Sequence, residues 1–172
     1  MTRAPYASAV APRHRRLLAS LLMLVALGCA VSAAQPAAAQ PGGQFIVNKY
    51  DTTIVVDVSG GRPTAGNWAI AYPRHGGDNQ RWATRDYDDG LAYQVGAGVV
   101  LARNTQTGYV ETQFDRNDAH QRWWVADSTS PGFVYIHSKD GDECLTNVGQ
   151  GKQLITAQCR TGDPRQLWAT WN

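Results

Sequence analysis

Three short segments decide how this chain folds: Gln80-Arg81-Trp82, Gln121-Arg122-Trp123 and Gln166-Leu167-Trp168. Each has the form Gln, any residue, Trp, and the three recur at intervals of 41 and 45 residues. A motif that returns at a nearly constant interval indicates a repeat architecture, in which no unit can bury its apolar face alone. The sequence therefore predicts three similar structural units.

Short apolar runs stand at similar places in each unit. They are bounded by Gly, Asp, Asn or Pro, as is typical of strands and hairpins, and no segment keeps apolar residues at helical spacing for three turns. With the motif segments, these runs predict four short strands per unit and a closed all-β structure with pseudo-threefold symmetry. The runs are 45–47, 54–58 and 68–72 in the first unit, 91–93, 99–102 and 109–114 in the second, and 134–136, 143–146 and 153–157 in the third.

The motif residues have a structural explanation. Each unit must bury an apolar face against the other two, and Trp supplies a large apolar surface while its indole N–H can still find an acceptor. A Gln side chain offers a donor and an acceptor, so it can satisfy backbone groups where the chain leaves a strand. We therefore predict that Trp82, Trp123 and Trp168 are core residues and not sugar-stacking aromatics.

The first part of the chain has the layout of a secretory signal. Arg3, Arg13, Arg15 and Arg16 precede an apolar run over 17–31, and small residues continue to Ala39. This run is shorter than the ~20 apolar residues that a membrane-spanning helix needs. We expect residues 1–39 to be a cleaved signal peptide and the protein to be secreted. Lipid anchoring through Cys29 is a weaker alternative, because Ala26 stands where lipoprotein signals usually carry Leu.

The remaining chain is predicted to contain a short flexible leader, 40–43, and one domain, 44–172, with repeats at about 44–86, 87–128 and 129–172. The signal segment holds four arginines and no acidic residue, so the net charge of +2 becomes −2 once it is removed. No Lys or Arg cluster remains, which argues against a nucleic-acid partner. No membrane span and no cofactor are expected.

Two cysteines remain, Cys144 and Cys159, in a chain that is expected to enter an oxidising compartment. Disulfides persist in such compartments, so we predict that these two residues pair. A metal site is not expected, because two cysteines and the scattered histidines His75, His120 and His137 lack the clustered spacing of zinc ligands. The histidines are interpreted as surface or turn residues.

Together, the three motifs and the strand runs before them make the chain resemble the ricin-B-type lectin family, β-trefoil domains with a Gln-x-Trp motif in every repeat. The resemblance covers essentially all of the predicted domain and implies a carbohydrate-binding function, with a glycan or polysaccharide as partner. The third repeat is closest to the family pattern, since Cys144 and Cys159 stand where the family often places a disulfide. The first two repeats lack those cysteines.

The resemblance implies one candidate sugar site, in the first repeat. Galactose-binding members use an acid just after the first apolar strand, an aromatic residue near the end of the next one, and an Asn before the motif Gln. Asp57, Tyr72 and Asn79 match these places, with Gln80 able to support the carboxylate. The other repeats do not match: they carry Ala102, Gln113 and His120 in the second, and Thr146, Ala157 and Arg165 in the third.

Other interpretations remain open. Asp57 can instead satisfy the turn at residues 59–61, Tyr72 can belong to the core, and Asn79 can stabilise its own loop. The chain carries no nucleophile elbow, phosphate-binding loop or zinc-protease motif, so we expect a binding protein and not an enzyme. The expected function is carbohydrate binding through one weak site, in the first repeat, for a galactose-type or xylose-type sugar. The alternative is a trefoil that has lost sugar binding and acts as a protein-binding or inhibitory module.

Overall fold

The computed structural model describes residues 42–172, so the predicted signal, residues 1–39, lies outside the described residues. This part of the chain is all-β, with four one-turn 3-10 helices and no α-helix. Within it, no helix is long and apolar enough to cross a membrane. The strands are β1 Phe45–Asn48, β2 Ile54–Val58, β3 Ala69–Pro73, β4 Trp82–Tyr87, β5 Gly90–Val95, β6 Val99–Arg103, β7 Val110–Phe114, β8 Trp123–Asp127, β9 Val134–Ser138, β10 Cys144–Thr146, β11 Ile155–Ala157 and β12 Leu167–Trp171.

Six of the strands form the body of the domain. They pair antiparallel in the order β1, β12, β9, β8, β5 and β4. A bridge between Gln44 and Trp82 then joins the start of β1 to the start of β4, with backbone N–H···O distances of 2.8 and 2.9 Å. The two ends of the row therefore meet, as the three-repeat pattern predicted.

The other six strands form three hairpins, β2–β3, β6–β7 and β10–β11, one in each repeat. Each hairpin hydrogen-bonds to the next across a pseudo-threefold axis, and equivalent residues are used every time. The fold is a β-trefoil, as expected from the sequence. The equivalent bonds run from Thr112 N to Asn67 O (2.8 Å), from Thr156 N to Gly108 O (2.7 Å) and from Ala71 N to Lys152 O (3.1 Å).

The three motif tryptophans are the largest buried side chains of the core, and none is more than 2% exposed. Each indole N–H donates to a backbone carbonyl in the first strand of the hairpin of its own repeat, and the acceptor has the equivalent position each time. Each tryptophan therefore fixes its own hairpin to the core. These bonds join Trp82 to Val56 (2.9 Å), Trp123 to Leu101 (3.0 Å) and Trp168 to Leu145 (2.9 Å).

The motif glutamines satisfy backbone groups at the turns, in the way that their chemistry suggested. In each repeat, Nε2 donates to the carbonyl at or just after the end of the hairpin, and Oε1 accepts from an N–H two residues further on. All three glutamines are buried. The bonded pairs are Pro73 O and His75 N for Gln80, Phe114 O and Arg116 N for Gln121, and Gln158 O and Arg160 N for Gln166.

The disulfide between Cys144 and Cys159 is present, which confirms the predicted pairing. It joins β10 to the loop that follows β11, with the two Cα atoms 5.0 Å apart. The two cysteines are 15 positions apart in the sequence, and closing a loop of about this length contributes about 3 kcal/mol in the chain-entropy description.

Replacing Trp82, Trp123 or Trp168 with Ala removes a fully buried indole and leaves the carbonyl that it bonded without a partner. We expect each change to lower the free energy of unfolding by about 3–5 kcal/mol. Urea unfolding followed by far-UV circular dichroism measures this. The matched control is Trp171→Ala on β12, because Trp171 is 38% exposed. A cost for the control equal to that of the three core substitutions would contradict this account of the core.

Candidate functional site

The β2–β3 hairpin determines where Asp57 points. Val56 and Val58 on either side of it are fully buried in the core, so the Asp57 side chain lies on the opposite face, across from Ile70. It is nevertheless only 3% exposed, because the one-turn 3-10 helix Asp78–Gln80 packs over it. A carboxylate on the outward face of a hairpin has thus been enclosed by a loop.

Three side chains converge on one oxygen of this carboxylate. Asp57 Oδ2 accepts from Asn79 Nδ2 at 2.9 Å and from Gln80 Nε2 at 2.8 Å, and it lies 3.1 Å from His75 Nε2. Among the described residues, no hydrogen bond uses Asp57 Oδ1. The described residues therefore hold the carboxylate through one oxygen and make no hydrogen bond to the other.

His75 has a defined role in this arrangement. Gly77 N–H donates to its Nδ1 at 3.2 Å, so the ring proton is carried by Nε2 and is donated to Asp57. The backbone N–H of His75 donates to Gln80 Oε1, which fixes the turn. His75 was not predicted as a site residue from the sequence. A usable signal existed, because the residues that donate a backbone N–H to the motif glutamine in the other repeats, Arg116 and Arg160, also have long nitrogen-bearing side chains.

The environment of Asp57 opposes its ionisation. Burial raises the pKa of this carboxyl above its usual value, while hydrogen bonds from Gln80, His75 and Asn79 act in the opposite direction without cancelling the effect. A buried carboxylate that the fold keeps at such a cost is a common feature of binding and catalytic sites.

Asp57 opens onto a cleft of about 300 Å³. Tyr72 forms one wall, is 42% exposed and meets the His75 ring edge-on at a centroid distance of 6.1 Å. Gly60 and Gly61 form another, both with positive φ, and a Cβ on either would meet nothing within 4 Å, so the space beside them is open.

Asn79 also lines the cleft. Both of its amide hydrogens are used, toward Asp57 Oδ2 and toward Val58 O at 3.2 Å, and among the described residues no donor reaches its Oδ1. Asp57, Asn79 and Tyr72 therefore meet in one cleft, as the sequence suggested. They can accept hydrogen bonds from neighbouring hydroxyls and cover an apolar face with a ring, which suits a sugar.

The equivalent places in the other repeats are also clefts, but with different chemistry. In the second, Gln113 and His120 line a cleft of about 270 Å³, and Ala102 replaces the acid. In the third, the cleft of about 260 Å³ contains Thr146, whose Oγ1 accepts from Gln166 Nε2 at 3.0 Å, and it lacks an aromatic wall. The buried carboxylate belongs to the first repeat.

One histidine was interpreted wrongly from the sequence. His137 is not a surface or turn residue: it lies in β9, is 9% exposed and stacks on Trp124 at a ring-centroid distance of 3.8 Å. Its Nδ1 lies 3.4 Å from Cys159 Sγ, so it packs against the disulfide. His137, Cys144 and Cys159 lie close enough together to resemble a metal site. The two sulfur atoms are bonded to each other, however, so neither is a free thiolate that could bind a metal ion.

Comparison with known proteins gives both a family and structural neighbours. The model of the family described as the ricin-type beta-trefoil lectin domain matches residues 43–168. No curated protein sequence matches the chain significantly.

Three solved structures illustrate the likeness, and at these identities they show the fold alone. The designed threefold-symmetric protein ThreeFoil has a TM-score of 0.67 at 19% identity, covering 75% of this chain and 97% of that one. A ricin B-like lectin from Macrolepiota procera, solved with lactose, has a TM-score of 0.63 at 19% identity, covering 77% and 97%. An exo-β-1,3-galactanase from Clostridium thermocellum has a TM-score of 0.65 at 18% identity, covering 76% of this chain but 30% of the enzyme.

Asp57→Asn keeps one oxygen acceptor for the surrounding donors but removes the buried charge. Because the folded-state pKa of Asp57 is raised, the wild-type carboxylate lowers stability at neutral pH, and this cost is lost as the pH falls through its titration range. We expect the variant to be at least as stable as wild type at neutral pH in urea unfolding. Its advantage should shrink toward acidic pH.

Asp115→Asn is the matched control, with the opposite sign. Burial raises the pKa of Asp115, but hydrogen bonds from Tyr87, Asn117 and Arg122 together lower it by more than burial raises it. The pKa of this carboxyl therefore lies below its usual value. This carboxylate stabilises the fold at neutral pH, and its contribution is lost as the pH falls. A loss of stability at neutral pH in both variants would show that Asp57 serves the fold and not a ligand.

Proposed function

Because the chain belongs to the ricin-type β-trefoil lectin family, we propose that it binds carbohydrate through one site, the first-repeat cleft, with a preference for galactose-type or xylose-type sugars. The observation that carries the proposal is the arrangement of Asp57, with three donors on Oδ2 and none from the described residues on Oδ1. A carboxylate held in this way is ready to accept hydrogen bonds from a ligand.

The proposed binding mode uses three groups of the cleft. Asp57 Oδ1 accepts from a sugar hydroxyl in a charge-assisted hydrogen bond, which is stronger than a bond between neutral groups. Asn79 Oδ1 accepts from a neighbouring hydroxyl. The exposed ring of Tyr72 covers the C–H face of the sugar. His75 and Gln80 act through Asp57 and are positioning residues.

Recognition and not catalysis fits the cleft best. Among its lining residues, Asp57 is the one carboxylate. Glycoside hydrolysis usually employs two carboxyl groups, about 5–9.5 Å apart, on either side of the bond that is cleaved.

We propose weak binding per site. A shallow cleft buries little of its ligand, and little free energy remains after the entropy cost of association. A glycan that presents many copies of the sugar would raise the apparent affinity, provided that several protein molecules are held close together.

Asp57→Ala tests the proposal directly. We expect the change to abolish binding of galactose, lactose and xylan oligosaccharides in isothermal titration calorimetry, because it removes the charged acceptor and leaves Asn79 and Gln80 without their partner. Asn79→Ala should weaken binding by roughly tenfold or more, through the loss of a ligand acceptor and of support for Asp57.

The third and second repeats supply matched controls. Thr146→Ala and His120→Ala change the positions equivalent to Asp57 and Asn79, and neither should alter sugar affinity. Unchanged affinity in Asp57→Ala would refute the site assignment. A glycan array without signal, together with a stable protein partner in a pull-down, would favour the protein-binding alternative.

We also propose that the protein is exported, with residues 1–39 as the cleaved signal. The disulfide between Cys144 and Cys159 supports this, since such bonds persist in oxidising compartments. When the full chain is expressed in a secreting bacterial host, the protein released into the medium should begin at or near Gln40, as read by mass spectrometry. Cys29→Ser should not affect release, whereas retention of a lipid-modified protein on the membrane would support anchoring through Cys29.

A further inference from the structure

The outward face of β3 carries more than the tyrosine of the cleft. Ala69 and Ala71 are fully buried, so the alternating residues Trp68, Ile70 and Tyr72 share the opposite face. Trp68 is 57% exposed, although it is one of the largest apolar side chains in the domain. Trp68 and Tyr72 are four positions apart in extended chain, a distance of about 13 Å. Two exposed aromatic rings therefore stand in one row.

Trp68 is continuous with the cleft. Its carbonyl accepts from Ser59 N at 2.9 Å, which places Trp68 directly beside Ser59. Ser59 and Ile70 both line the cleft that contains Asp57. Trp68 is therefore the next residue along β3 beyond the lining of the cleft on this face, past Ile70.

A second aromatic residue joins Trp68 from the neighbouring repeat. Trp68 forms an isolated antiparallel bridge with Glu111, and Tyr109 lies two residues before Glu111 on the same face of the chain. Diagonal neighbours of this kind lie about 7–8 Å apart, which is within reach of aromatic side chains. Tyr109 is 47% exposed. Trp68 and Tyr109 therefore form one surface beside the pseudo-threefold axis, which we term the axial aromatic pair.

The surroundings of this pair are polar. Glu111 accepts from Gln113 Nε2 at 2.6 Å, and Gln153, the counterpart of Trp68 in the third repeat, donates to Val110 O at 3.1 Å. Aromatic faces with carboxylate and amide groups beside them suit a ligand that has C–H faces and hydroxyl edges.

We propose that the axial aromatic pair is a second carbohydrate subsite, so that the protein binds an extended oligosaccharide lying along β3 from Tyr72 to Trp68. This inference rests on the proposed function of the first-repeat cleft and adds the class of ligand: the interior of a polysaccharide chain and not a single terminal sugar. A dimer interface is a poorer fit. Two aromatic side chains bury about 300–500 Å² in all, far below the roughly 1,200–2,000 Å² of a stable interface.

The test compares sugars of increasing length. Calorimetric titration of wild type is performed with galactose and with xylose, and then with β-linked oligomers of each from the dimer to the hexamer. Affinity should rise with chain length until the chain reaches Trp68. Trp68→Ala should remove this rise, weakening hexamer binding roughly three- to tenfold while leaving the monosaccharide affinity unchanged. Tyr109→Ala should have a smaller effect in the same direction.

Two controls make the result specific. Trp171→Ala removes an exposed indole from β12, outside the hairpins, and should leave every affinity unchanged. Binding of the hexamer should also shift the tryptophan fluorescence of wild type and of Trp171→Ala, but not that of Trp68→Ala.

Each outcome has a distinct meaning. Monosaccharide binding that depends on Asp57, without a gain for longer chains or a loss in Trp68→Ala, overturns this inference and leaves the proposed function intact. No binding of any sugar by wild type overturns both. Sedimentation that reveals a dimer abolished by Trp68→Ala would identify a second copy of the chain as the occupant of the axial aromatic pair, and would also overturn the inference.

Discussion

The structure depends on one interaction made three times, the hydrogen bond from a buried indole N–H to a strand carbonyl. In each repeat, this bond joins the strand that begins within the Gln-x-Trp motif to the hairpin of the same repeat. The tryptophans are Trp82 in β4, Trp123 in β8 and Trp168 in β12. An indole buried without an acceptor would lose the free energy of its solvation, so the position of each tryptophan fixes the register of the strand beneath it. Because the three bonds are equivalent, the hairpins adopt equivalent positions around the axis.

The motif glutamine connects this scaffold to the sites on its surface. One amide hydrogen of each glutamine is used at the turn in every repeat, and in the first and third repeats the other donates to a side chain at or near the end of the second strand. There it meets Asp57 in the first repeat and Thr146 in the third, whereas the second repeat has Ala102 in that place. The scaffold thus prepares the same position three times, and a single side chain decides whether the position holds a charged acceptor.

Much of this could be predicted from the sequence, because symmetry makes local signals reinforce one another. The strands and the meeting of Asp57, Tyr72 and Asn79 follow from register, which strand periodicity and the motif spacing determine. Other features depend on contacts that no local pattern encodes. The proton position on His75 is set by Gly77, and His137 is buried by Trp124 and the disulfide. Trp68 and Tyr109 come from different repeats, so their proximity emerges only when the hairpins meet across the axis.

The difference between the first repeat, which has a buried carboxylate, and the other two repeats, which do not, has an energetic basis. A buried carboxylate with a raised pKa lowers the stability of the fold, and a domain of this size has only a small margin of stability to lose. In the first repeat, three donors on Oδ2 limit that cost, and no described residue hydrogen-bonds to the other oxygen. In the third repeat, the neutral hydroxyl of Thr146 stands at the equivalent strand end, and the disulfide of Cys144 lies at the start of the same strand; both can be buried without an ionic penalty. A threefold scaffold can therefore carry a buried carboxylate in its first repeat and none at the equivalent places of the second and third, since the tryptophan bonds that hold the fold together do not depend on what lies in the clefts.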